Sequence, residues 1–162
     1  MKIIMKRSLF VISLFLLSIF SCEDSLENHP IPSFAVHLDL DLLTPRDKGI
    51  RIPPSYSIYT TENIIRGKEY IGFGSVIVVN TPFNGYKAFD LSCPYEAKRN
   101  ILVEVDEDYN AVCPVCGSKF EILLNTSSGM CIEGKSMHPL RPYQVIQHSS
   151  NNLTVRNNHK LQ

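Results

Sequence analysis

An all-β domain is expected from three features of the sequence. Short apolar runs rich in Val, Ile, Tyr and Phe recur along it, each of strand length. Turn-forming residues join those runs in pairs, as in hairpins. Beyond the N-terminal segment, no stretch carries the 3.6-residue apolar period of an amphipathic helix.

The elements follow in chain order. "SFAVHLDL" alternates, with Phe34, Val36, Leu38 and Leu40 on one face and Ala35, His37 and Asp39 on the other. "LTPRDKGIRIPPS" is rich in proline and charge and reads as a loop. "SVIVVN" and "GYKAFDL" flank "TPFNG", where Asn84-Gly85 is the turn signal. "ILVEV" and "AVCP" flank the acidic turn "DEDYN", and "KFEILL" and "GMCIEG" flank "NTSS". "YQVIQHS" and "LTVRN" flank "SNN" and close the chain. Hairpins at this spacing predict a small antiparallel sandwich or barrel. Asp106, Glu107 and Asp108 are read as a solvated loop tip rather than a calcium site.

The N-terminus is a separate case. Lys2, Lys6 and Arg7 form a basic start, and the apolar run Ser8 to Phe20 is short for a bilayer span. It ends at "SIFSC" and resembles a bacterial lipoprotein signal peptide, with Ile19, Ser21 and Cys22 matching the lipobox and Phe20 a bulkier fit. The resemblance implies a signal over residues 1–21 and a lipid-acylated Cys22 that holds the chain on a membrane of the bacterial cell envelope. The leaflet, and whether the domain faces the periplasm or the cell surface, stay open. Residues 22–32, with Glu23, Asp24 and Glu27, read as a short flexible tether, and residues 33–160 as one domain.

Removing the three basic residues of the signal leaves 13 Lys and Arg against 16 Asp and Glu. The mature chain has no long basic run and no basic residues interleaved with aromatics, which argues against nucleic acid as a partner. About 140 residues are enough for one core.

The chain has five cysteines. With Cys22 assigned to lipid, Cys93, Cys113, Cys116 and Cys131 remain, and an oxidising compartment disfavours leaving all four as free thiols. "CPVCGSKFE" places Cys113 and Cys116 two residues apart, close enough for both sulfurs to converge on one point. Gly117 supplies the positive φ that such a turn uses. Spacing alone leaves zinc, an iron–sulfur cluster, a second thiol or nothing as the other half of the site. A thioredoxin-like redox motif is disfavoured because no βαβ pattern surrounds the pair, and no Ser–His or paired-carboxylate hydrolase constellation is discernible.

The order of parts is more specific than any one motif. "YKAFD" leads into "LSCPYE", seventeen residues separate Tyr95 from Cys113, and "CPVCGSKFE", "EGKSMHPL" and "RPYQV" follow. Over residues 71–157 this resembles a Rieske domain, which carries C-x-H, then C-x-x-H-G-S, then a covering loop ending in Pro-Leu. The resemblance implies a small antiparallel β-sandwich with a two-loop subdomain of the cluster-binding type. Cys93 and Cys113 match the cysteine ligands, and Gly117, Ser118, Pro139 and Leu140 match their motifs. Tyr95 and Cys116 stand where the two histidines belong.

A Rieske centre is a 2Fe-2S cluster with two thiolates on one iron and two imidazoles on the other. Its loss of both imidazoles here would leave at best a more thiolate-rich cluster with a potential drifting toward about −400 mV. None of the five histidines falls at a ligand position. His138, in the covering loop, is the one candidate substitute, and Cys131 is a possible fourth ligand, though its setting in a strand-like run fits a small buried apolar residue. Phe120 and Tyr143 are expected in the core.

Two functions are weighed from the resemblance. In the favoured one the domain keeps the fold, loses the cofactor and serves a non-catalytic binding or structural role, with a disulfide from Cys93 to Cys113 or Cys116 as staple. Such a bridge would close about twenty residues and stabilise by about 3 kcal/mol. In the alternative, Cys93, Cys113 and Cys116 hold zinc or a 2Fe-2S cluster, the latter for electron transfer. Neither reading identifies a protein or redox partner.

Overall fold

The structure, a computed structural model, describes residues 28–124, 126 and 128–157. Cys22 and the expected signal segment lie outside the described residues. Among the described residues, no helix is long and apolar enough to cross a membrane.

The domain is built from antiparallel strands in two sheets. The larger runs in the order β2 (Ser55–Tyr59), β4 (Val76–Thr81), β5 (Gly85–Asp90), β10 (Pro142–Gln147), β11 (Asn152–Arg156), β1 (Val36–Asp41) and β3 (Tyr70–Ile71). The smaller is a meander of β6 (Glu104–Val105), β7 (Asn110–Val112), β8 (Lys119–Glu121) and β9 (Cys131–Glu133). In place of two layers stacked as a sandwich, the larger sheet curls into a nearly closed, barrel-like form.

Local chemistry explains the strands. In β1, Val36, Leu38 and Leu40 are buried while His37 and Asp39 face out, the period-2 pattern of a half-buried strand. The β4–β5 hairpin turns at Asn84-Gly85, where Gly85 takes φ +66°. β4 is buried along its whole length, so its "VIVVNT" shows no alternation between apolar and polar. Val76 and Val78 enter the core inside the larger sheet, with Leu38, Leu40, Tyr59 and Val155. Ile77 and Val79 face the other way, into a second core with Phe89, Leu91, Phe120, Ile122 and Leu140. One strand thus welds the two units together.

Two buried polar networks brace the larger sheet. The loop after β1 contains a 3-10 turn, Lys48–Ile50, and carries Arg46, whose Nε lies 2.7 Å from Asp47 Oδ1 and whose NH1 lies 2.7 Å from Glu69 Oε2. Tyr59 donates to Asp47 Oδ1 at 3.1 Å. At the far end of β5, the fully buried Asp90 carboxylate accepts Tyr143 O–H at 2.6 Å, Phe73 N–H at 3.1 Å, Gly74 N–H at 3.2 Å and Ser92 N–H at 2.8 Å. Burial and the Asp90 charge push the Tyr143 phenol well above its usual range, so it stays a donor.

Of the residues read as a tether, 28–32 are described, and part of that stretch docks on the domain. Ile31 is fully buried, and its carbonyl accepts from Arg141 at 2.8 Å. His29 is buried too, with Nδ1 accepting Ile31 N–H and Nε2 bonded to the Pro139 carbonyl at 2.9 Å.

Candidate functional site

Three cysteine sulfurs meet where the loop after β5 passes the turn between β7 and β8. Cys93, Cys113 and Cys116 place their Sγ atoms within 4.8 Å of one another, and Cys93 Sγ lies 3.6 Å from Cys116 Sγ. All four described cysteines are free thiols; a bond between Cys93 and Cys116 requires closure to about 2.05 Å.

Each loop is shaped by its own backbone. After Cys93, the Ala97 N–H returns to the Cys93 carbonyl at 2.9 Å, and the Cys93 N–H is held by Ile101. In the second loop, Gly117 N–H bonds the Cys113 carbonyl at 3.0 Å and Cys113 N–H bonds the Ser118 carbonyl at 2.9 Å. Gly117 takes φ +74°, the left-handed conformation that its place in "CPVCG" requires. A third segment, the loop after β9, closes over the second. Gly134, at φ +106°, passes so near that a Cβ on it would sit 2.5 Å from Ser118 Cα.

Ser118 joins these parts. It is fully buried, and its Oγ receives the N–H groups of Lys135 and Ser136, both at 3.0 Å, while Cys116 Sγ lies 3.2 Å away. Sequence reading marked Ser118 as a motif match; its cross-loop bonding has no signal in the sequence. Asp90, three residues before Cys93, was likewise not singled out, although a carboxylate ending an apolar strand beside "LSC" is the kind of signal that would have found it.

The sulfurs differ in environment. Cys93 and Cys113 are buried, at 0% and 1% exposure, whereas Cys116 is partly open to solvent. Burial pushes the Cys93 thiol up to about 12, outweighing N–H donors from Glu96 and Tyr95. For Cys116, burial acts upward, but hydrogen bonding with Ser118, Cys113 and Cys93 outweighs it and holds the thiol below its usual value.

The remaining candidates lie apart. Cys131 does not join the group; it is half-buried and its Sγ–H bonds the Glu133 carbonyl at 3.2 Å. His138 is exposed and meets the ring of His29 edge-on, with centroids 6.0 Å apart, so it does not reach the sulfurs as a substitute ligand. Tyr95 is 52% exposed, with Lys135 Nζ 6.0 Å from its ring centre. Phe120 and Tyr143 are buried.

The donor set does not fit a Rieske centre. Two thiolates and two imidazoles are needed, and the three converging donors are all sulfur. They fit a soft ion better: sulfurs on a tetrahedral zinc with bonds of about 2.3 Å stand about 3.8 Å apart. Comparison with protein-family models finds no match, and comparison with curated proteins finds none.

Proposed function

We propose that this chain is a lipid-anchored protein of the bacterial cell envelope, with a Rieske-like domain whose cluster site has become a thiol site. Its role is non-catalytic, in binding or in structure, and a Cys93–Cys116 disulfide staples the two site loops in the oxidised state. The observation that carries this is the 3.6 Å approach of Cys93 Sγ to Cys116 Sγ, with no histidine joining them among the described residues. An exported dithiol at that distance oxidises readily. The membrane anchor rests on Cys22 and the segment before it.

One observation favours a second reading. Three sulfurs within 4.8 Å, two of them near the edge length of a zinc tetrahedron, also suit a zinc or iron–sulfur module, in the latter case for electron transfer.

Analysis of the purified protein separates the two. The staple predicts a colourless protein with negligible zinc, iron and acid-labile sulfide, and a peptide map joining Cys93 to Cys116. Stoichiometric zinc lost in Cys113→Ser, or iron with sulfide and a red-brown colour, overturns it. Cys22→Ala should leave the membrane fraction or stall in processing; unchanged membrane association and mobility would remove the anchor.

A further inference from the structure

We propose that Cys116 is the entry thiol of a reversible thiol–disulfide switch, with Cys93 as its resolving partner and Ser118 as the group that positions the Cys116 sulfur. The oxidant is a small-molecule disulfide. This rests on the Cys93–Cys116 staple proposed above and assigns it a direction and an order of events.

Access decides which sulfur reacts first. Cys93 and Cys113 are sealed, and Cys116 alone of the three is partly open to solvent. A disulfide from outside therefore meets Cys116 before either neighbour.

Hydrogen bonds decide what holds Cys116 in place. Its sulfur lies 3.2 Å from Ser118 Oγ. That oxygen is fully buried and is itself pinned by the N–H groups of Lys135 and Ser136, both at 3.0 Å. The loop after β9 therefore fixes, through Ser118, where the Cys116 sulfur sits relative to Cys93.

The chemistry balances in two steps. The Cys116 thiolate attacks one sulfur of the incoming disulfide; that S–S bond breaks, a thiolate leaves and takes a proton from water, and a mixed disulfide stays on Cys116. The Cys93 sulfur, starting 3.6 Å away, then attacks Cys116 Sγ and loses its proton. The Cys93–Cys116 bond forms, the second S–S bond breaks, and the departing thiolate takes up that proton. Two protein thiols have lost two electrons, and one disulfide has been reduced to two thiols. Burial of Cys93 keeps it from an outside disulfide until a mixed disulfide forms beside it, so entry and resolution stay in order.

The test uses reduced full-length protein and glutathione disulfide, with peptide mapping by mass spectrometry. The wild type should lose two thiols and yield a Cys93–Cys116 pair. Cys93→Ser should stop at one glutathione on Cys116. Cys116→Ser should react far more slowly and carry no adduct on Cys113. Ser118→Ala frees the Cys116 sulfur and should slow closure onto Cys93, so that the mixed disulfide on Cys116 accumulates, and Ser118→Thr should restore closure.

A Cys93–Cys116 bond that forms at the wild-type rate through an adduct on Cys113 overturns the entry role while the staple stands. A Cys113–Cys116 bond in Cys93→Ser overturns the resolving role. Closure at the wild-type rate in Ser118→Ala overturns the positioning role. Reduced wild type that keeps all its thiols against glutathione disulfide overturns both the switch and the staple.

Discussion

Replacing Tyr143 with Phe isolates one hydrogen bond of the Asp90 carboxylate, since the ring stays in its place in the core. Asp90 is fully buried and its Oδ2 takes three donors, of which Tyr143 O–H at 2.6 Å is the shortest. A hydrogen bond to a buried charge contributes about 1.5–3 kcal/mol. Two N–H donors remain on Oδ2 and one on Oδ1, so the charge is still partly satisfied, and the loss should be about 2 kcal/mol. For a domain of about 130 residues the unfolding entropy is about 0.27 kcal/mol per degree, which converts that loss to a Tm drop of about 7 °C. Thermal and urea denaturation followed by circular dichroism would measure both quantities. Tyr70→Phe, at an exposed position, serves as the control and should fall within about 0.5 kcal/mol of wild type. If Tyr143→Phe unfolds with the control, Asp90 does not depend on the phenol and the reasoning fails.

Two further outcomes follow from buried charge and burial. Arg46→Ala strands the Asp47 and Glu69 carboxylates, whose side chains are 1% and 2% exposed, and should cost about 3–5 kcal/mol by denaturant titration. His29 is held below its usual pKa, chiefly by burial, with Arg141 and His138 adding repulsion. The unfolded chain therefore takes up the proton first, and stability should fall as pH drops below about 6.5 until folded His29 itself protonates. His29→Ala should flatten that part of the stability–pH curve, as read by urea midpoints at successive pH values.

Much of this was legible in the residues, and what was not has physical causes. The hairpin at Asn84-Gly85 and the alternation of β1 are local properties, written in turn chemistry and period. β2 follows a proline pair inside what reads as loop, and β3 has only two residues, so neither carries enough pattern to stand out. Alternation shows which side chains face inward but not whether a sheet stacks or curls, so the strand pattern left sandwich and barrel both open, and a nearly closed, barrel-like sheet is found. At the site, the spacing of Cys113 and Cys116 puts two sulfurs on one turn, whereas the approach of Cys93 depends on how two loops distant in sequence pack together. The triple role of Ser118 Oγ depends on a loop that returns from seventeen residues downstream, and no local pattern encodes it.

The smaller sheet and its sulfurs occupy the stretch of chain between β5 and β10, and those two strands are neighbours, with Phe89 opposite Pro142 and Ala88 opposite Tyr143. The ends of a detour of about fifty residues are therefore clamped side by side by the barrel-like sheet, which bears the entropic cost of bringing them together. Within such a clamp the detour is an exchangeable cassette. Its loops can lengthen or shorten and its side chains can change while the strands that carry it keep their order, so the chemistry of the site can vary independently of the scaffold.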